Sequence, residues 1–257
     1  MPDHALQESI AKARAAEPTP LLARRLISLL ELSALGADQT SDVTQALCRN
    51  AMTQAGAVAA VCVFPGYVRD AKTALADTGV KIATVVDFPE GIASPEEVMR
   101  QTGEAVGEGA EEIGLVFPYR RFLADLPPPA SKNIRGVHDA GGYDVRLKVL
   151  FDAGVFPTVE LFAQAAEVAI QSGADFLEIV PGEDGGGSAL ETAAMALSIV
   201  ADSGLPIGFK ATIETDDPAE AIGYLVLADA MLGEGWAKPE NFRLGAGADL
   251  LSKLLEI

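Results

Sequence analysis

Sulfur and imidazole are scarce in this chain. Two cysteines, Cys48 and Cys62, and two histidines, His4 and His138, occur in 257 residues. So few cysteines in so long a chain cannot make a disulfide framework. Both are expected to be reduced packing residues, one on a helix and one on a strand. No metal-ligand spacing surrounds either histidine, so no metal site is expected. Cations are also few. The 19 Lys and Arg face 37 Asp and Glu, a formal net charge of −18, which argues against nucleic acid and anionic membranes as partners. No apolar run reaches the roughly 20 residues of a membrane-spanning helix. The start, Met1-Pro2-Asp3-His4, lacks the basic-then-apolar pattern of a secretory leader, and the expected location is the cytoplasm. Aromatic residues make up 6% of the chain, so a core of Ala, Leu, Val and Ile is expected, as in α/β folds.

What is abundant is a rhythm. Continuous apolar runs such as Val58–Phe64 and Lys81–Phe88 have the character of strands buried on both faces. Seven such strands begin near residues 58, 81, 112, 145, 175, 206 and 241. Helical segments separate them. Ser94-Pro95-Glu96-Glu97 opens one with a serine cap, a proline at the first position and acids in the first turn. Thr40-Ser41-Asp42 caps another, expected to run to about Gln54, and Leu21–Leu32 is expected to form an apolar helix. Residues 124–143 are less regular: Pro127-Pro128-Pro129 cannot sit in a helix interior, and Ile134–Asp139 is expected to be a short helix. Alternation with short connections implies parallel strands and right-handed crossovers. The length suits one closed (β/α)₈ TIM barrel spanning 1–257, with residues 1–25 as an N-terminal helical extension packed on it. The eighth strand lies either near 29–35 or elsewhere, with the first helices then plugging the barrel bottom. No Gly-x-Gly-x-x-Gly follows the first strand, which weakens a dinucleotide-binding open sheet.

The chemistry is expected at the carboxyl ends of the strands. Glu178 is the anomaly. Phe176, Glu178 and Val180 share one strand face, and a carboxylate between apolar inward neighbours is costly unless paired or functional. Lys148, Glu178 and Lys210 lie on three consecutive strands, about 4.8 Å apart. If all point inward they form a Lys–Glu–Lys row in the barrel mouth. Two readings follow. A buried lysine with a lowered pKa can attack a carbonyl as a free amine. Alternatively, a carboxylate between two ammonium groups holds them charged, and the row is an ion pair that fills the barrel.

Scattered motifs also suggest a family. Val61-Cys62-Val63-Phe64-Pro65, Ile82–Pro89, Leu115–Arg120, Leu147-Lys148-Val149, Ser172–Phe176, Gly208-Phe209-Lys210 and Phe242–Ala246 occur in order and at matching spacings. Together they resemble deoxyribose-phosphate aldolase over roughly Leu26 to Leu255. The resemblance implies a (β/α)₈ barrel, usually dimeric, hence a homodimer. It also implies no cofactor and a Schiff base between a strand lysine and a small carbonyl substrate. The site residues of that pattern have changed. The Schiff-base lysine corresponds to Glu178, the catalytic aspartate to Gly114, and the lysine of the following loop to Glu183, with Asp184 after it. The Gly-Gly phosphate cradle corresponds to Ile213-Glu214, and the closing serine pair to Gly247-Ala248. Lys210 matches the second active-site lysine and Lys148 a lysine on a preceding strand. Cys62 and Arg120 match scaffold positions.

A phosphate site uses cations and backbone N–H groups, and the acids at 183, 184 and 214 oppose one. The loop Gly182–Gly187 is then either an exposed acidic loop or a mouth for a neutral or cationic ligand, or a weak divalent-ion site. The expected enzyme is a divergent aldolase-like lyase acting on a small unphosphorylated carbonyl compound. Lys210 is its nucleophile, Glu178 its acid/base, and Lys148 its electrostatic support. Substrate contacts are assigned to Glu183, Asp184, Thr212, Gly245 and Gly247. Two alternatives stand beside it: an inactive paralogue with a closed ion-pair row and no open pocket, serving as a binding or partner subunit, and a genuine deoxyribose-phosphate aldolase with a relocated lysine.

Overall fold

A computed structural model of the chain describes residues 3–126, 128–181 and 189–257. Eight parallel strands close into a barrel in chain order. They are β1 (Leu30–Ala34), β2 (Ala60–Val63), β3 (Lys81–Val86), β4 (Glu112–Val116), β5 (Arg146–Asp152), β6 (Phe176–Val180), β7 (Gly208–Thr212) and β8 (Phe242–Ala246). The first strand closes the ring by pairing with β2 on one side and β8 on the other. The eighth strand is thus the one near 29–35. The expected helix over Leu21–Leu32 is shorter than its apolar pattern suggested: α2 (Pro20–Ile27) stops at Ile27 and leaves Leu30–Leu32 to the sheet.

Eleven helices are present among the described residues, and the chain's own capping chemistry sets many of their starts. The hydroxyls of Thr40, Ser94 and Thr158 accept from the N–H three residues on, at 3.3, 3.3 and 3.2 Å, and open α3 (Ser41–Asn50), α5 (Pro95–Glu108) and α8 (Val159–Gln171). These caps satisfy N–H groups that a helix start otherwise leaves unpaired. Prolines occupy the opening positions of α2, α5 and α10 (Pro218–Leu232), where no amide hydrogen is needed. Gly204 ends α9 (Leu190–Ser203) at φ 62°, a left-handed conformation that costs glycine little.

The remaining helices are α1 (Asp3–Arg14), α4 (Val68–Ala74), α6 (Tyr119–Leu123), α7 (Ala130–Gly141) and α11 (Ala248–Leu255). Three segments differ from the sequence expectation. After α3, which ends at Asn50, a two-residue hairpin joins Met52–Thr53 to Gly56–Ala57. Helix α7 spans Ala130–Gly141 rather than a short 134–139 turn, with Ala130, Asn133, Ile134 and Val137 on its buried face. Helix α6 follows Pro118 directly. Helix α1 packs against α10 and α9, and Arg14 pairs with Glu191 at the start of α9.

Every strand is buried along most of its length. Outward residues such as Ile113, Leu147, Leu177 and Phe209 meet the helices in one apolar core. The inward positions carry the charges described next. No described helix is long and apolar enough to cross a membrane.

Candidate active site

Six charged side chains point into the barrel: Glu31 from β1, Glu112 from β4, Lys148 from β5, Glu178 from β6, Lys210 from β7 and Arg243 from β8. Each is at most 3% exposed, so water screens them little. They form one connected chain. Glu178 Oε1 lies 2.9 Å from Lys210 Nζ. Lys210 also donates to Glu31 Oε1 at 2.5 Å. The other oxygen of Glu31 accepts from Lys148. Lys148 donates on to Glu112 Oε2 at 2.7 Å, and Arg243 donates to Glu112 Oε1 at 3.2 Å. Three carboxylates thus alternate with three cations, and the formal charges cancel.

The expected Lys148–Glu178–Lys210 row is only half present. Glu178 stands beside Lys210 in the strand register, but its register partner on β5 is Leu150, while Lys148 faces Phe176. Side chains on one face of a strand are two residues apart, so Lys148 lies one step toward the amino end of β5. Its carboxylate partners are Glu31 and Glu112. Glu31 is the true bridge between the two lysines. The sequence carried the signal: Leu30-Glu31-Leu32 places an acid among apolar residues just as Leu177-Glu178-Ile179 does. It was hidden because this stretch looked helical. Glu112 and Arg243 were likewise visible as charges within strands, without partners.

Two predicted contacts change role. Thr212 Oγ1 donates to Glu178 Oε1 at 2.9 Å, so Thr212 orients the carboxylate. Gly245 does not line the cavity above the network. Its place is structural: a Cβ there would lie 2.6 Å from Thr212 Oγ1 and 3.0 Å from Lys210 Cε. A side chain there would crowd Thr212 and the stem of Lys210 where it reaches past β8 to Glu31. Gly247 precedes α11 as its N-cap residue, with open space around it. Glu183 and Asp184 lie outside the described residues. Gly114 is packed by Leu150 Cδ1 at 3.1 Å from where a Cβ would be.

The electrostatics follow from this alternation. Burial works against the charged forms of Lys148 and Lys210. The carboxylates outweigh it, Glu112 and Glu31 for Lys148 and Glu178 and Glu31 for Lys210, and both ammonium groups are held above the usual lysine range. Burial also opposes ionisation of Glu31, yet Lys148 and Lys210 hold its carboxyl below the usual carboxylate range. The resting site is therefore a set of ions, and Lys210 stands in it as an ammonium. Burial pushes the thiol of Cys62, beside the network, up to about 12, which makes it a packing group rather than a nucleophile.

Above the charges a cavity of about 810 Å³ opens. Glu31, Lys148, Glu178, Lys210 and Thr212 form part of its lining. Among the described residues no group of three or more His, Cys, Asp and Glu side chains is arranged to hold a metal ion.

A model of the DeoC/LacD family of aldolases matches residues 31–210. Deoxyribose-phosphate aldolase of Agrobacterium fabrum is 37% identical over 225 residues, covering 87% of each chain. This chain belongs to the DeoC/LacD aldolase family. A crystal structure from Toxoplasma gondii ME49, provisionally named deoxyribose-phosphate aldolase, superposes with a TM-score of 0.82 at 25% identity, over 92% of this chain and 94% of that one. Deoxyribose phosphate aldolase from Aeropyrum pernix, at 18% identity, shares the fold with a TM-score of 0.75, over 100% of this chain and 97% of that one. The family resemblance and the barrel expected from the sequence are thus both found.

Proposed function

We propose that this family member is an aldolase-type lyase that cleaves or forms the carbon–carbon bond of a small, unphosphorylated β-hydroxy carbonyl compound through Lys210 and Glu178. One observation carries the reading: Lys210 Nζ and Glu178 Oε1 lie 2.9 Å apart at the edge of a cavity large enough for such a compound. The cavity favours a ligand-handling role over a barrel that charges merely fill.

Held as an ammonium, Lys210 is suited to stabilise negative charge on a carbonyl oxygen. Glu178, oriented by Thr212, is suited to move the proton. In the cleavage direction Glu178 takes the β-hydroxyl proton. The carbon–carbon bond breaks, its electron pair enters the carbonyl to give an enolate beside Lys210, and an aldehyde is released. The proton on Glu178 then passes to the enolate carbon, which restores the carboxylate and yields the second carbonyl product. A covalent version, with Lys210 as an imine-forming amine, first requires Lys210 to hand its proton to Glu178. The carboxylates that hold Lys210 as an ammonium oppose that transfer.

The test compares wild type with Lys210→Met and Glu178→Gln on a panel of β-hydroxy aldehydes and ketones. Each variant is expected to lose at least about 100-fold in cleavage rate. Wild-type rates in both variants would overturn the reading. Borohydride reduction with peptide mass mapping separates the two versions, because only the covalent one leaves a stable adduct on Lys210. 2-Deoxyribose 5-phosphate in the same panel tests for the activity named in the Agrobacterium relative.

A further inference from the structure

The cavity is unevenly built, and the unevenness carries information about the substrate. Its charged groups are confined to the floor and the rim. On the floor Lys148 and Lys210 are each shared between two carboxylates. On the rim stand two acids, Glu90 and Asp152, and one cation, Arg120, whose guanidinium lies over the ring of Tyr119 at 5.9 Å. Between floor and rim, one side of the cavity is apolar. Val85, Val116, Leu150, Val155 and Phe156 line it, drawn from β3, β4, β5 and the turn after β5.

This wall is packed rather than adaptable. Phe117, Phe151 and Phe156 form a ring cluster in which the Phe117 and Phe151 rings stack at a centroid distance of 4.9 Å. Leu150 packs against Gly114 closely enough that any side chain there would displace it. Phe88 extends the apolar surface to the mouth, where it is partly exposed. A hydroxylated or phosphorylated tail laid against Leu150 and Val116 would lose its water without gaining partners.

We infer that the substrate carries an aromatic or branched aliphatic substituent on its carbinol carbon, so that cleavage releases an apolar aldehyde and the apolar wall holds that end. This rests on the reading that Lys210 and Glu178 handle the carbonyl end. It adds the polarity of the other end, which sets specificity. Val116 and Leu150 are then specificity-determining residues, acting through burial of apolar surface.

Binding is measured separately from turnover so that the two readings can fail independently. The probe is 4-phenylbutan-2-one, which has the ketone and the phenyl group but no hydroxyl and cannot be cleaved. Its dissociation constant, by titration calorimetry or ligand-observed NMR on the whole protein, is compared with those of 2-deoxyribose and 2-deoxyribose 5-phosphate. The phenyl ketone is expected to bind at least tenfold more tightly than either sugar, about 1.4 kcal/mol. Val116→Asn and Phe88→Ser, both at partly exposed positions, are each expected to weaken the ketone several-fold and leave the sugars unchanged. Circular dichroism melting confirms that each variant is folded. Equal or tighter binding of either sugar, or wild-type ketone affinity in both folded variants, overturns the inference whether or not cleavage is observed. Tight, wall-dependent ketone binding supports it even if Lys210→Met and Glu178→Gln show that the proposed chemistry is wrong.

Discussion

Neutralising Glu31 is the sharpest test of the buried network. This carboxylate accepts from Lys148 through one oxygen and from Lys210 through the other. Glu31→Gln keeps the shape and removes the charge. It leaves three cations facing two carboxylates where no member is more than 3% exposed. Removing one partner of a buried ion pair typically costs about 3–5 kcal/mol. For a chain of this length each kcal/mol moves the melting temperature by about 2–4 °C, so a drop of roughly 6–20 °C is expected at pH 7. The double variant Glu31→Gln/Lys148→Met restores the balance, because Glu112 keeps Arg243 and Glu178 keeps Lys210. Its loss should fall short of the summed single losses by roughly 1–3 kcal/mol.

The pH dependence has a definite sign. Glu31 has a lowered pKa in the folded state, so its contribution is present above the unfolded value of about 4.3 and is lost as pH falls through the folded value. Lys148 and Lys210 have raised pKa values. Their contribution is present below the unfolded value of about 10.4 and is lost as pH rises through the folded value. The Glu31→Gln deficit should therefore be constant between about pH 5 and pH 9 and shrink in stronger acid. Thermal melting followed by circular dichroism measures all of this. A single variant melting within about 2 °C of wild type, or a double variant losing the full sum, would refute the network as described.

Gly245→Ala forces a Cβ to within 2.6 Å of Thr212 Oγ1 and 3.0 Å of Lys210 Cε. It should cost about 1–3 kcal/mol by overpacking, against about 1 kcal/mol or less for Gly247→Ala, where the space is open; chemical denaturation of the two variants measures the contrast. Arg25 holds Asp229 through both guanidinium ends and also donates to Ala237 O at 3.0 Å, in a partly buried setting. Arg25→Met should therefore lower stability by about 1–3 kcal/mol, read from urea unfolding at pH 7. Burial pushes the thiols of Cys48 and Cys62 up to about 11 and about 12. Neither should react with a thiol reagent near pH 7.5 until denaturant unfolds the barrel, and labelling kinetics followed by mass spectrometry checks this.

The barrel was legible because strands buried on both faces appear as unbroken apolar runs, and seven of the eight stood out that way. The exception, β1, is interrupted by Glu31 and follows a helix of similar composition. Its pattern therefore merged with that of α2. Helix α7 was underestimated because Gly136, Gly141 and the preceding prolines are poor helix formers. Its buried face, packed against α5, outweighs them.

The charges of the site were legible for the same reason as the strands: an ion within an apolar run stands out. Their pairing was not. It depends on which inward positions share a level across neighbouring strands, and on how far a lysine can reach. The register puts Leu150, not Lys148, beside Glu178, and Gly245 lets Lys210 extend past β8 to Glu31. Neither fact is written in any one segment.

These two facts also bear on the charge that residue 178 can carry. A third cation at position 178, beside Lys148 and Lys210, would leave Glu31 and Glu112 facing four cations with Arg243. With Glu178 the six charges balance, and Lys210 is held between two carboxylates. Lys210 is thus an ammonium with a carboxylate 2.9 Å away, the pair on which the proposed proton transfer rests.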